Sequence, residues 1–399
     1  MDMLVRIFSL LIASSLITAC SMLPAKPSDD TTEVDEHSDR HISDNSQVPA
    51  VLYDRPFAAP TLYSLLVAEV AGQRQQFDIS LVNYLDQAEK TQDPGIAERA
   101  THIAQYMGVN NYTLRAAEIW VKNAPDEAQA HQVLAQALVV KGDFENALKH
   151  LEIVFDLAGA SQFDYLALNA EALNPEDKIA LLQQIEQLTK KHADYPQLWM
   201  AQGTLLLQLA NDEDALLSFE KALSLRPDYT AAAISKARAL HNIGKTEEAL
   251  ALLDNLHSDM PKHKGIGILR ARILIELTRY SEARAAFGYL HQHFPDDQSI
   301  RLSLGLLNIE LQEYDEAIAI LMPLTLSRPM ANEAYFYLAR IAEIQQDYPR
   351  ALRNLGQVQQ GRHFLPAQLQ TLRILLQQEG IHAARDYLSR SRSQHPNFN

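Results

Sequence analysis

Apolar and polar residues recur along most of this chain with the spacing of paired helices. The clearest stretch, Pro196–Tyr229, holds two apolar-periodic segments, about residues 198–209 and 214–225. The polar run Asn211–Glu213 separates them. Pro227 follows the last apolar turn, where a residue without an N–H group ends a helix. The pattern predicts a hairpin of two helices over 34 residues.

Small and bulky residues occupy fixed positions in this unit. Counted from Pro196, Gly203 and Ala215 stand at positions 8 and 20. Their small size lets two helices approach closely, while Phe219 at position 24 fills the space beside them. The other marker residues are Trp199, Leu206, Ala222 and Pro227. With these markers the unit resembles a tetratricopeptide repeat, which implies a helical hairpin that stacks on its neighbours.

The spacing continues on both sides of this unit. Five successive units keep small residues at positions 8 and 20, and they begin at Pro196, Thr230, Lys264, Gln298 and Asn332. The unit at 161–195 is the most degenerate, with Pro175 between its predicted helices. We predict about ten hairpins over residues 61–398. The resemblance implies an all-α tetratricopeptide repeat solenoid that forms a right-handed superhelix.

The first 19 residues have the pattern of a secretory signal. Arg6 precedes an apolar core, residues 7–17, that is too short to span a bilayer. The following Ile-Thr-Ala-Cys, which ends at Cys20, resembles the lipobox of bacterial lipoproteins. This implies cleavage before Cys20 and acylation of its thiol, and Ser21 favours sorting to the periplasmic face of the outer membrane. Cys20 is the only cysteine in the chain, so no disulfide competes for it.

The alternative to a lipobox is an ordinary cleaved signal with an incidental cysteine at position 20.

Residues 20–60 are rich in Ser, Asp, Glu and Pro, a composition that predicts a disordered acidic tether. The formal net charge of the chain is −15. This charge argues against a nucleic-acid partner and against a polybasic membrane patch.

The chain offers little catalytic chemistry. Gly244–Thr246 resembles the end of a phosphate-binding loop, but it falls in the predicted turn of a hairpin. Ser218–Lys221 has the spacing of some acyl-transfer enzymes, yet it contains a packing residue of the repeat. His37 and His41 have the spacing of two metal ligands, but they lie in the predicted tether. We therefore expect a non-enzymatic protein with no catalytic residue, metal or cofactor.

Two rows of residues on the first helices are candidates for binding a partner. In the repeat family, positions 5 and 9 point into a groove along the stack. Position 5 carries Met200, Ile234, Ile268, Leu302 and Phe336, and position 9 carries Arg238, Arg272 and Arg340. An apolar row beside arginines suits an extended peptide, because guanidinium groups bind carboxylates in fork geometry. The alternative is that position 5 packs neighbouring helices and the arginines are solvated.

Three segments near the start of the array carry a narrower resemblance. Residues 63–71, 88–101 and 120–125 are similar to outer-membrane repeat lipoproteins of pseudomonads that escort a carboxy-terminal processing protease. The resemblance implies an adaptor that binds the periplasmic protease and presents peptidoglycan hydrolases for degradation. The alternative is a lipoprotein assembly factor for a pilus or a secretion pore, which uses the same repeats behind a lipobox.

Overall fold

A computed structural model describes residues 57–394. These residues form 20 α-helices and two short 3₁₀ helices, and no strand occurs among them. The predicted all-α class is therefore confirmed. The predicted signal at 1–19, Cys20 and most of the predicted tether at 20–60 lie outside the described part. Within that part no helix has the length and apolar character needed to cross a membrane.

The described helices divide into two compact units at residue 239. The first unit consists of α1 to α10 and the start of α11. Its helices are α1 Ala59–Gln73, α2 Phe77–Thr91, α3 Pro94–Met107, α4 Asn110–Asn123, α5 Ala128–Lys141, α6 Phe144–Ala158, α7 Phe163–Asn169, α8 Pro175–Lys191, α9 Pro196–Gln208 and α10 Asp212–Leu225. Consecutive helices pack in pairs, as the hairpin prediction requires.

The second unit begins near the end of α11 and continues with the same pairing. Its helices are α11 Thr230–Asn242, α12 Thr246–Asp259, α13 Lys264–Glu276, α14 Tyr280–His293, α15 Gln298–Glu310, α16 Tyr314–Leu321, α17 Ala331–Ile344, α18 Tyr348–Leu355, α19 Phe364–Gln378 and α20 Ile381–Gln394. Helices α9, α11, α13 and α15 begin at the first residue of the predicted unit, and α17 begins one residue earlier. The predicted 34-residue register is thus correct.

The predicted close-contact positions are buried throughout these five hairpins. Position 20 is occupied by Ala215, Ala249, Ala283, Ala317 and Ala351, and none of them is exposed. A Cβ atom on Gly203 would lie 2.6 Å from Cε1 of Phe219, and one on Gly305 would lie 2.6 Å from Cδ2 of Leu321. Only a residue without a side chain fits there, so the two helices are held at a short separation.

The turn inside each of the same hairpins contains one residue with positive φ. These residues are Ala210, Gly244, Thr278, Gln312 and Gln346, with φ between 58° and 84°. Left-handed backbone is unstrained for glycine and costs energy for other residues, most of all β-branched ones. Gly244 thus lies in a helix–helix turn, which confirms the interpretation of Gly244–Thr246 made from the sequence.

Tyrosines at the last position of two successive units hold the degenerate 161–195 hairpin in place. The hydroxyl of Tyr195 donates to the carbonyl oxygen of Ser161 at 2.9 Å and accepts from its N–H at 2.7 Å. The hydroxyl of Tyr229 donates to Oδ2 of Asp164 at 2.6 Å. Burial and the Asp164 carboxylate raise the pKa of Tyr229, so it stays a donor at neutral pH. Pro175 begins α8, the second helix of this hairpin, as predicted.

Two second helices are much shorter than the 14 residues of α10, α12 and α14. Helix α16 has eight residues and is followed by a 3₁₀ helix, Met322–Leu326. Helix α18 also has eight residues, but no helix continues it between residues 356 and 363. The loop ends at His363, which precedes α19 and is buried. The structure thus keeps the close-contact rows while the ends of the second helices vary.

Candidate partner-binding surface

The apolar row at position 5 is less open than the sequence predicts. Met200 is 1% exposed and Leu302 is 8% exposed, so both side chains pack inside their units. For these two residues this favours the alternative interpretation, in which position 5 packs neighbouring helices, over a groove lining. The physical reason is that first helices of stacked hairpins contact each other as well as their own partner helix. Ile234, Ile268 and Phe336 are half-buried.

Phe336 shows what covers a residue at position 5. Its ring stacks on His363, which precedes the first helix of the next unit, with 4.4 Å between ring centroids. Tyr337 meets the same imidazole edge-on. Burial, with the nearby charges of Arg362 and Arg340, lowers the pKa of His363 to about 4. The imidazole is therefore neutral at physiological pH and acts as an apolar cover for Phe336.

The arginines at position 9 lie in different surroundings. Arg238 is exposed, whereas Arg272 and Arg340 are half-buried. The guanidinium of Arg340 lies near Glu310 on α15 and Glu343 on its own helix, and burial lowers its pKa. Burial raises the pKa of Glu310, and the charge of Arg340 counteracts this effect. Arg340 thus neutralises carboxylates between neighbouring hairpins, which favours a packing role.

The last described unit shows the same positions without a cover. It begins at Leu365, so Leu369 stands at position 5 and Arg373 at position 9. Leu369 is 59% exposed, in contrast to Met200 and Leu302. Arg373 forms an ion pair with Glu343 of the preceding unit and is still largely open to solvent. Position 5 is therefore a packing row that becomes surface where no described hairpin follows.

Exposed side chains of α19 and α20 form two stripes at helical spacing. They are Leu365, Leu369, Arg373 and Leu376 on α19, and Ile381, Arg385, Leu388 and Arg392 on α20. In both stripes arginine stands between apolar residues. We call these eight residues the α19–α20 face. The sequence interpretation missed this face because it followed the two rows only as far as the unit that begins at Asn332.

The charge of this region is opposite to that of the whole chain. Residues 350–394 contain seven arginines, no lysine and two carboxylates, Glu379 and Asp386. The formal net charge of the chain is −15. A charge count in windows would have revealed the arginines, whereas the total hides them.

The opposite end of the described array is also apolar but carries no such charge. Exposed Leu62, Leu66 and Val70 lie along α1, and Tyr63 is exposed beside them. The side of α1 that faces α2 and α3 is formed by Ala68 and Ala71, which are buried. This helix is thus apolar on two sides, and its outer side is a second candidate contact surface.

The described residues contain no evident metal-binding site. Among residues 57–394, no group of three or more His, Cys, Asp or Glu side chains is arranged to hold a metal ion. His131 and His150 approach with their Nδ1 atoms 2.8 Å apart, and Nε2 of His131 lies 2.9 Å from the carbonyl oxygen of Pro125. One proton shared between the two Nδ1 atoms satisfies this pair, so its role is structural.

Comparisons with known proteins place the repeats in a family. Residues 206–273 and 274–341 each match the tetratricopeptide repeat. The chain is 42% identical over 342 residues to a TPR repeat-containing protein of Pseudomonas aeruginosa, which covers 86% of this chain and 58% of the relative. The chain therefore spans somewhat more than half the length of that relative.

Two solved structures are similar to this chain at low sequence identity. Yeast Tom70 is 14% identical with a TM-score of 0.40, covering 84% of this chain and 85% of that one. A tetratricopeptide repeat protein from Parabacteroides merdae is 12% identical with a TM-score of 0.43, covering 63% of this chain and 99% of that one.

The matched segments agree with the geometry. Paired helices at a 34-residue spacing and buried small residues at fixed positions occur where the family matches. Such repeats form scaffolds that bind other proteins, and no enzyme family is indicated. Residues 206–341 of this chain are therefore similar to tetratricopeptide repeats, and the other described hairpins have the same paired-helix arrangement.

Proposed function

We propose that this chain is an outer-membrane-anchored scaffold on the periplasmic face that binds periplasmic proteins through its helical hairpins. The observation that carries the proposal is a long series of interaction repeats behind a lipobox-like sequence that ends at Cys20. The acidic residues at 20–60 have the composition of a flexible spacer between a lipid and the repeats. The lipid is then the membrane contact, and the hairpins are the protein contact.

The narrower proposal is an adaptor that presents cell-wall hydrolases to a carboxy-terminal processing protease. It is supported by the resemblance of residues 63–71, 88–101 and 120–125 to the pseudomonad lipoproteins. These residues belong to α1, to the junction of α2 with α3 and to the end of α4, which make up the first two hairpins. The 42% identity to a repeat protein of a pseudomonad also supports this proposal.

Anchoring is tested by the substitution Cys20→Ser in the full chain with its own signal. The wild type should fractionate with the outer membrane, and the variant should appear in the soluble periplasm, because the acidic spacer has no membrane affinity of its own. Exported wild-type protein that is equally soluble would overturn the anchoring proposal.

The adaptor role is tested in two steps. Cross-linking in intact cells, followed by purification from the outer membrane, should recover a processing protease together with a cell-wall hydrolase. With purified components, the protease should degrade the hydrolase faster when the chain is added, and the chain alone should leave the hydrolase intact. Recovery of pilus or secretion-pore subunits without a protease would favour the assembly-factor alternative. Cleavage by the chain alone would contradict a non-catalytic scaffold.

A further inference from the structure

We propose that the α19–α20 face binds an acidic amphipathic helix of a partner protein. The inference deepens the proposed function: it rests on the chain being a protein-binding scaffold and names the chemistry of one partner. Its starting point is the contrast between Leu369 and the equivalent Met200 and Leu302, which are buried by neighbouring helices. Leu369 presents to solvent a packing surface that elsewhere contacts a helix.

The shape of this surface favours a helix as the occupant. The stripe on α20 places Ile381, Arg385, Leu388 and Arg392 at intervals of four, three and four residues. The stripe on α19 places Leu365, Leu369, Arg373 and Leu376 at intervals of four, four and three. A helix has the same spacing, so its side chains fit between those of such a stripe. In helix-in-groove recognition, apolar anchors follow this spacing.

The charge of the surface favours an acidic occupant. Arg385 and Arg392 are exposed, and the residues around them are rich in arginine and poor in carboxylates. Arg373 already pairs with Glu343 of α17, which shows that a carboxylate from an adjacent helix reaches position 9. Arginine binds carboxylates through two parallel N–H donors, so glutamates of a docked helix gain both charge and geometry.

The arrangement of apolar and basic residues distinguishes a protein partner from a membrane. A helix that lies on a membrane separates a continuous apolar side from a basic side. Here Arg385 stands between Ile381 and Leu388 on one stripe, and Arg373 stands between Leu369 and Leu376 on the other. Insertion of the leucines into a bilayer would pull these guanidinium groups into the apolar layer, which is costly. A helix with alternating leucine and glutamate satisfies both kinds of residue.

A second copy of the chain is a poorer match. Its candidate contact helix, α1, has an exposed side of Leu62, Tyr63, Leu66 and Val70. The only carboxylate on α1 is Glu69, whose carboxylate accepts a hydrogen bond from Tyr84 and lies 3.6 Å from Arg99. Such a helix would cover the leucines of the α19–α20 face and leave its arginines without carboxylates.

The test uses a labelled helical peptide with leucines and glutamates at three- and four-residue spacing. A second peptide replaces each glutamate with lysine. Binding to the full chain carrying Cys20→Ser is measured by fluorescence anisotropy. The glutamate peptide should bind, and Arg385→Glu with Arg392→Glu should weaken it about tenfold or more. The same double variant should gain affinity for the lysine peptide.

Matched controls separate the face from general charge and apolar effects. Leu369→Ser on the face should weaken the glutamate peptide several-fold, whereas Leu217→Ser, at an exposed leucine of α10, should leave binding unchanged. Arg328→Glu, at an exposed arginine before α17, should also leave it unchanged. Equal losses in these controls, or no loss in the face variants, would overturn the proposal.

Each alternative occupant of the face predicts a different experimental result. Binding of the wild type to phosphatidylglycerol vesicles, abolished by the double arginine variant and with no peptide binding, would assign the face to a membrane. Concentration-dependent dimers that Leu369→Ser disrupts, again with no peptide binding, would assign it to a second copy. Peptide binding is measured without protease or hydrolase, so failure here is distinguishable from failure of the adaptor role.

Discussion

The hairpins α9–α10 and α17–α18 follow the same packing rule and differ in how far the second helix continues. Small residues occupy positions 8 and 20 in both, as Gly203 and Ala215 in one and Ala339 and Ala351 in the other. All four are buried at the helix contact. Helix α10 has 14 residues, whereas α18 stops after eight and a loop brings in His363. The contact at positions 8 and 20 is therefore common to both hairpins, although the lengths of their second helices differ.

The difference also affects what surrounds the hairpin. In α9–α10 the position 5 residue, Met200, is enclosed by a continuous core. In α17–α18 the position 5 residue, Phe336, is covered by an imidazole that is buried without a partner for its Nε2 atom. The first environment is insensitive to pH, and the second contains a titratable group.

The largest effect should come from removing the aromatic ring at position 24 of the regular hairpin. Phe219 is fully buried against Gly203, so Phe219→Ala leaves a cavity that the close helices cannot fill. We expect a loss of about 3–5 kcal/mol in the free energy of unfolding of the first unit, measured by urea denaturation. Leu217→Ala on the exposed side of the same helix is the control and should change it by about 0.5 kcal/mol or less. Similar values for both would place Phe219 outside the core.

A comparable loss should follow acidification of the second unit. The pKa of His363 is about 4 in the folded chain and about 6.5 when unfolded. Between these values the unfolded state binds more protons, so stability is complete above about pH 6.5 and falls as the pH drops towards 4. The total is about 3 kcal/mol, from roughly 1.4 kcal/mol for each pH unit. Urea denaturation of the second unit across this range measures it.

Two substitutions test whether His363 causes this pH dependence. His363→Leu keeps an apolar cover over Phe336 and should remove this part of the pH dependence. His382→Leu changes an exposed histidine of α20 and should retain it. A dependence that persists in His363→Leu would mean that another group senses the pH.

A smaller loss is expected from overpacking the shared contact position. Ala215→Leu and Ala351→Leu each insert a bulky side chain where two helices touch, and each should cost about 1–3 kcal/mol. Because repeats interact mainly with their neighbours, hydrogen exchange should accelerate near the altered hairpin and remain unchanged in distant ones. Equal tolerance of leucine at both sites would show that the register of the small residues is incorrect.

The smallest effect should be a gain in stability at a strained turn. Thr278 has a φ of 59° and is exposed, so Thr278→Gly relieves left-handed backbone strain without removing a contact. We expect a gain of about 0.5–1 kcal/mol in the free energy of unfolding of the second unit, after the extra chain entropy of glycine is subtracted. Thermal denaturation measures it. Gly244→Thr in the corresponding turn should cost a similar amount. A loss in the first variant would mean that the threonine side chain has a partner.

The sequence predicts those features of the fold that depend on contacts within one hairpin. The helix boundaries, the small residues at positions 8 and 20 and the turn at Gly244 follow from local spacing and residue size. The hairpin at 161–195 was recognisable through Pro175, although α7 is only seven residues long. Because the same local contacts recur in each unit, one well-defined unit is enough to predict the register of the others.

Features that depend on contacts between hairpins were harder to predict. The sequence left open whether Met200 and Leu302 line a groove or pack against neighbouring helices, because the burial of a first-helix residue also depends on the neighbouring unit. The sequence before Gly356 gives no simple indication that α18 ends after eight residues. The contact between His363 and Phe336 depends on the loop that follows this helix. The basic character of the α19–α20 face is visible only in a local charge count. The seven arginines of residues 350–394 do not show in the net charge of −15 of the whole chain.

Regular hairpins use their first-helix rows for packing, and we expect binding where such a row is uncovered. Hydrogen exchange of the full chain, with and without the leucine–glutamate peptide, tests this expectation. Slower exchange should be confined to residues 364–394, with α9, α11, α13 and α15 unchanged. Slower exchange in those four helices, with residues 364–394 unaffected, would contradict it and return the binding site to the row at positions 5 and 9.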